Sequence, residues 1–263
     1  MKSLAIFFIA ISLVSCSHNQ VELRAKAEKA AAKQGMVSKI YHTKNFNIFT
    51  LEKISDPKKT LRIYIEGDGR AYVNKYQPSL DPTPTSNFLI NLMAQDSSPN
   101  LVYIARPCQF VESKNCEEKY WTGERFSPET ISAIDEVVSE FANREIEVVG
   151  YSGGAMMALQ LRQKNIKNIR TIAGNLDLET FTAIQKISPP KIPEIDYKKL
   201  AKIPQIHFIG SEDKIISIAN FEAYHMKFRN KNCVKLKVVE GAAHHDNWEK
   251  KWAELLQVQP SCH

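Results

Sequence analysis

Five residues constrain this chain more than any others: Gly150-Tyr151-Ser152-Gly153-Gly154. They directly follow an apolar, β-branched run, Ile146-Glu147-Val148-Val149, and directly precede a stretch of helical composition beginning near Ala155. A chain that passes from strand to helix within so few residues must turn sharply, and the residue at the apex is thrown clear of the sheet. Side chains two positions either side of the apex would collide, so small residues are required there. The helix behind the apex also offers unpaired backbone N–H groups to negative charge. Together these features predict an exposed, nucleophilic Ser152, with Tyr151 beside the substrate and the N–H of Gly153 facing an oxyanion.

The remaining pattern supplies a scaffold for such a turn. Residues 61–65, 101–105, 145–149, 170–173, 205–209 and 234–239 read as buried strands, and 38–41 with 47–53 as an opening antiparallel pair. Helical stretches fall at 85–94, from 127 onward (Ser127 as N-cap, Pro128 at the first helical position), and at 155–163. Asp246 with Glu249 reads as a capping box for a last helix to 256. Strands alternating with helices predict an α/β fold: a mostly parallel central sheet with helices on both faces. Two proline-bearing stretches, 78–84 and 176–204, break the rhythm, and the second is long enough to shape a binding pocket.

A serine needs a base, and the base needs an orienting acid. Asp213 lies just past the 205–209 strand, with Glu212 and Asp177 as rivals. His244 follows a small-residue turn, Gly241-Ala242-Ala243, after the 234–239 strand, with His245 as its rival. His207 lies inside a strand and reads as structural. A second oxyanion donor is expected from Glu66-Gly67-Asp68-Gly69, after the 61–65 strand: the N–H of Asp68, or else of Gly69, with Gly67 and Gly69 letting the backbone approach a substrate. No metal-ligand spacing accompanies the two adjacent histidines, and no Gly-x-Gly-x-x-Gly opens a helix, so neither a metal nor another cofactor is expected.

Over nearly all of the chain after its leader, these motifs resemble the α/β-hydrolase superfamily. More narrowly, the chain is similar to a group of little-characterised proteobacterial α/β-hydrolase lipoproteins. The matching stretches are Tyr64-Ile65-Glu66-Gly67-Asp68-Gly69, Ala105-Arg106-Pro107-Cys108-Gln109, Tyr120-Trp121-Thr122, Arg125-Phe126-Ser127, the Ser152 pentapeptide, Ala173-Gly174-Asn175-Leu176-Asp177, and His244 with Trp248. The resemblance implies the sheet fold and a Ser152–Asp213–His244 site, with no particular substrate. Where lipases and esterases often carry His-Gly before the oxyanion donor, this chain has Glu66-Gly67, which leaves the donor open.

The first residues read as a signal peptide over 1–15: Lys2, an apolar run from Leu4 to Val14, then Ser15-Cys16. The boundary resembles a bacterial lipobox, which implies acylation of Cys16; Ser17 after it points to the outer membrane, facing the periplasm. Residues 16–36, rich in Ala, Lys and Glu, read as a semi-rigid stalk without a docking face, and 37–263 as the domain. Cys108, Cys116, Cys233 and Cys262 then allow two disulfides in an oxidising compartment; Cys108–Cys116 and Cys233–Cys262 is one of three pairings. The net charge of +6 is spread along the chain and mixed with acids, so no nucleic-acid partner is expected. The expected chemistry is hydrolysis of a small or lipid-like ester, less readily an amide or thioester, through an acyl-enzyme. An acyltransferase using the same residues and an inactive envelope scaffold are the alternatives. Oligomeric state is left open.

Overall fold

The computed structural model describes residues 10–262, with side chains from residue 19 onward. Residues 1–9 of the leader and the side chain of Cys16 lie outside this description. The strands are β1 (Val37–His42), β2 (Asn47–Ile54), β3 (Leu61–Ile65), β4 (Tyr72–Asn74), β5 (Gln77–Pro78), β6 (Asn100–Ile104), β7 (Ile146–Tyr151), β8 (Ile166–Ile172), β9 (Gln205–Gly210) and β10 (Val234–Val239). The helices are α1 (Ala10–Ala32), α2 (Phe88–Met93), α3 (Pro128–Ser139), α4 (Gly153–Gln160), α5 (Leu178–Gln185), α6 (Tyr197–Leu200), α7 (Ile218–Met226) and α8 (Glu249–Leu255).

Eight strands form one sheet in the order β1-β2-β6-β3-β7-β8-β9-β10, while β4 and β5 make a separate hairpin. β1 and β2 pair antiparallel, β2 meets β6 antiparallel, and every later neighbour is parallel. Both faces are covered, which explains why β6 and β7 are buried at every position and are mostly apolar, with Asn100 and Glu147 as the exceptions. Alternate side chains go to opposite faces. Ile63, Val102 and Val148 pack under α3 and α4, with Ile134 and Met157 among their neighbours. Tyr64, Tyr103 and Val149 join the opposite core, under Ala31 of α1, Leu89 of α2 and Trp252 of α8.

Two local expectations are corrected, the stalk and the capping box. Residues 19–32 are no free stalk. Ala27 and Ala31, one helical turn apart, are fully buried, Arg24 lies 5.5 Å over the Phe49 ring, and the Gln20 amide donates to the Cys108 carbonyl at 3.1 Å. Methyl side chains give a helix almost no apolar contrast, so the docked face was invisible in composition. The capping box fails too: α8 starts at Glu249, and the Asp246 carbonyl instead accepts from the Ala243 N–H at 3.1 Å. Ser127 holds the N-cap position of α3 without a side-chain capping bond. The 176–204 stretch contains α5 and α6, and α7 is an element the pattern did not suggest.

Replacing Ala27 with Glu places a carboxylate where no exposure exists. It should cost about 2–4 kcal/mol, lowering Tm by roughly 5–10 °C, and should open Lys26 and Lys29 to trypsin. An unchanged melting curve and cleavage pattern would show that α1 is not part of the folded unit.

Candidate active site

Ser152 sits between β7 and α4 with φ 49° and ψ −118°, a backbone that L-residues avoid. The flanking glycines make this conformation accessible. A Cβ on Gly150 would come within 2.6 Å of the Ala155 Cα, and one on Gly154 within 2.2 Å of the Ile65 carbonyl oxygen. Backbone bonds clamp the apex: the Ser152 N–H donates to the Ile172 carbonyl at 3.0 Å, and its own carbonyl accepts from Asn175 at 3.0 Å.

The ends of β9 and β10 deliver the other two groups. His244 Nε2 lies 3.1 Å from Ser152 Oγ, and His244 Nδ1 lies 2.9 Å from Asp213 Oδ2. The other oxygen of Asp213 accepts from the N–H groups of Ile215 and Ile216 at 2.8 and 2.9 Å. Burial pushes the Asp213 carboxyl up, but the His244 bond and charge and these two N–H groups outweigh it and hold it below the ordinary aspartate range. The Trp248 indole N–H, 2.6 Å from the Ala243 carbonyl, pins the turn that carries His244.

The rivals fall elsewhere. Asp177 caps α5, accepting from the Thr180 N–H at 2.9 Å, and Glu212 is exposed. His245 binds the Tyr151 hydroxyl through Nδ1. Burial pushes that phenol well above its ordinary value, so it stays protonated, and its hydroxyl also lies 3.4 Å from the His244 carbonyl. His207 is fully buried between Thr171 and Gln205, and burial lowers it to about 3, so it stays neutral.

The 66–69 loop passes directly against the serine. A Cβ on Gly67 would lie 3.2 Å from the Ser152 Cβ, and one on Gly69 (φ 61°) 2.1 Å from the Pro82 carbonyl oxygen. The Asp68 carboxylate leans over Gly153, where a Cβ would meet its Oδ1 at 2.1 Å. It is held there by Arg106 Nη1 and Arg125 Nε, each at 3.0 Å. Arg106 in turn donates to the Arg125 carbonyl. Gln109 takes the Arg106 N–H on its oxygen at 3.0 Å and donates its amide to the Gly67 carbonyl at 3.1 Å. Glu66 accepts from the Gly67 N–H and the Tyr103 hydroxyl at 2.8 and 2.9 Å. Burial raises Glu66 to about 7 against the pull of those bonds and of Arg106.

Arg106, Gln109, Arg125 and Glu66 received no role from the sequence alone. The available signal was position: Glu66 and Arg106 follow the carboxyl ends of β3 and β6, where sheets of this type present their functional loops. Two disulfides are present, Cys108–Cys116 and Cys233–Cys262, and the first braces the turn that carries Arg106 and Gln109. Ser152, His244 and His245 open into a cleft of about 660 Å³. Its apolar wall comes from Phe88, Tyr72, Phe181, Ile187 and Ile215; Arg70 and Arg125 bring charge to it. The 176–204 stretch thus lines the cleft, through Phe181 and Ile187. No cluster of three metal-ligating side chains occurs among the described residues.

No known family model matches the sequence, and no curated protein resembles it significantly. Solved structures do. An esterase from Pyrococcus furiosus is 16% identical with a TM-score of 0.60, over 86% of this chain and 92% of its own. A bacterial membrane phospholipase A is 14% identical with a TM-score of 0.57, over 95% and 93%. An α/β serine hydrolase homologue from Coxiella burnetii is 13% identical with a TM-score of 0.50, over 84% and 93%. The fold is the α/β-hydrolase fold.

Glu66 gives a pH signature. Between its unfolded value near 4.5 and its folded value of about 7, the folded chain keeps a proton that the unfolded chain has released. Its contribution to stability is therefore full below 4.5 and lost as pH rises through 7. The loss amounts to about 3 kcal/mol. His207 acts with opposite sign, gaining stability between about 3 and 6.5, so the effect is read as native minus Glu66→Gln in denaturant titrations across pH. A difference that stays flat from pH 4.5 to 7 would contradict this account.

Proposed function

We propose that this chain, with its α/β-hydrolase fold, is a serine hydrolase that cleaves a carboxylic ester through an acyl-enzyme. The observation that carries the reading is a single imidazole, His244, within hydrogen-bond reach of Ser152 on one nitrogen and of Asp213 on the other. Asp213 accepts from Nδ1–H and so fixes the tautomer that leaves Nε2 free to accept the Ser152 proton. Oγ attacks the acyl carbon, and the proton taken by Nε2 passes to the leaving alkoxide. Water, deprotonated by the same nitrogen, then releases the acid and restores the serine.

The oxyanion is met by the Gly153 N–H at the start of α4 and by the Asp68 N–H, in a loop pressed against Ser152. Behind that loop two buried guanidinium groups share one carboxylate, an excess of positive charge on the side where negative charge develops. An apolar cleft wall suits an ester with an acyl chain. The esterase and the phospholipase among the structural neighbours agree with that class of substrate. Acylation of Cys16 would hold the enzyme at the outer membrane, facing the periplasm; two disulfides agree with an oxidising compartment.

Ser152→Ala should lower turnover of a p-nitrophenyl ester by roughly 10³ or more, and should abolish labelling by a fluorophosphonate. Asp213→Asn should cost roughly 10³–10⁴ through the wrong imidazole tautomer. Unchanged turnover in a folded Ser152→Ala variant would sink the reading.

A further inference from the structure

The cleft that holds Ser152 opens between two lips that share an unusual make-up. One is the β4–β5 hairpin, which stands apart from the main sheet. Its Tyr72, Val73 and Tyr76 are 41%, 51% and 84% exposed. The other is built from the end of α5 and the chain entering α7, where Ile184, Ile215 and Ile218 are 48%, 40% and 40% exposed. Tyr72 and Ile215 both line the cleft, so both lips border it. Ile184 stands one helical turn beyond Phe181, another lining residue, and Ile218 three positions beyond Ile215, so the apolar surface runs outward from the site on that side.

Charge completes the pattern. Residues 70–80 contain Arg70 and Lys75 and no acid; residues 183–188 contain Lys186 and no acid; residues 214–219 contain Lys214 and no acid. All four cations are exposed. Of the nearby acids, Asp213 is bonded to His244 and Glu179 is paired with Lys227, while Glu212 and Glu222 are exposed beside the second lip. Exposed aliphatic and tyrosine side chains, interspersed with cations and split by an open cleft, match a fluid anionic surface: tyrosines settle at headgroup depth and lysines meet lipid phosphates. The chain also enters the fold beside this lip. Gln20 contacts Asp81 and Thr83, just past the hairpin. Cys16, four residues earlier, can be no farther from Gln20 than roughly 14 Å even fully extended.

We infer that the two lips are a docking surface for an anionic phospholipid bilayer and that the Ser152 cleft opens directly onto the lipid it binds. Binding to the bilayer stands on the lips alone; the further step, that acyl esters of membrane lipids are the substrates, rests on the hydrolase reading above.

The test uses the full chain carrying Tyr76→Trp, with the unsubstituted chain as the blank for Trp121, Trp248 and Trp252. Vesicles of phosphatidylcholine with phosphatidylglycerol should shift the residue 76 fluorescence to the blue. Brominated acyl chains should quench it, whereas phosphatidylcholine alone should do neither. Adding Lys75→Glu should weaken the response at least about fivefold, and salt should weaken it too. Ile184→Ser with Ile218→Ser should lower turnover of a vesicle-borne ester while leaving a soluble p-nitrophenyl ester unaffected. The inference is overturned if the chain sediments with anionic vesicles while residue 76 stays unquenched, because an N-terminal attachment alone would then account for binding. It is equally overturned if the residue 76 signal changes with protein concentration and not with lipid, which would assign the lips to a second copy. Quenching without hydrolysis of any ester would leave the docking surface standing and remove the hydrolase reading instead.

Discussion

Everything near the site depends on one strained residue. Ser152 holds φ 49°, a conformation that costs on the order of 1–3 kcal/mol for a residue with a side chain, and the surroundings leave it no alternative. β7 is hydrogen-bonded on both sides, to β3 and to β8, so the strand cannot relax. α4 begins on the very next residue, and Gly154 lies too close to the Ile65 carbonyl for any side chain. The strain is thus held by the sheet, and it aims Oγ at His244. The same closeness sets the rest of the site: because α4 runs so near β3, the loop leaving β3 must pass over Gly153, which brings Asp68 to the serine.

That loop poses an electrostatic problem that Arg106 and Arg125 solve. In the proposed reaction, Asp68 would oppose catalysis if its charge were left alone, since a carboxylate repels a developing anion. Two nearly buried guanidinium groups, each 3.0 Å from Asp68, outnumber its one carboxylate. A buried ion group of this kind contributes little net stability, but removing one partner strands the others without solvent. Its value here is positional. Gln109, Arg106 and the Cys108–Cys116 bridge tie β6 to the loop after β3, which fixes the backbone beside Ser152. Glu66, raised to about 7 by its burial, brings less than a full negative charge to the same neighbourhood at neutral pH.

Much of this was legible in the sequence, for identifiable reasons. The Ser152 turn was, because only small residues fit at 150 and 154. The parallel sheet was, because strands covered on both faces become mostly apolar runs. Asp213 and His244 were placed by strand ends, although the sequence left Glu212, Asp177 and His245 as rivals. What separates them is reach in three dimensions: Asp177 faces the start of α5, and His245 turns its ring toward Tyr151. The docking of α1 was not legible, since alanine carries no hydrophobic contrast and a buried alanine face looks like a spacer. Nor was the Arg106–Asp68–Arg125 group, whose members are 38 and 57 positions apart in pairing and recognisable only once β3 and β6 lie side by side.

The division between legible and illegible follows the division of labour in the molecule. The groups assigned to the proposed chemistry sit at the ends of β3, β7, β9 and β10, where the sheet fixes their backbone and few residue types would serve. The lips sit on a detached hairpin and on the 176–204 stretch, where many sequences would cover the same surface. A lip works by its overall apolar and cationic character, which tolerates exchange of one aliphatic or one lysine for another. Motifs therefore report the chemistry, and only the exposed surface reports the substrate. In this chain the two meet at Tyr72 and Ile215, which belong to the lips and line the cleft. An acyl chain leaving a bilayer there would meet the apolar wall that Tyr72 and Ile215 share with the Ser152 cleft. That continuity is the physical reason to look for the substrate in the membrane and not in solution.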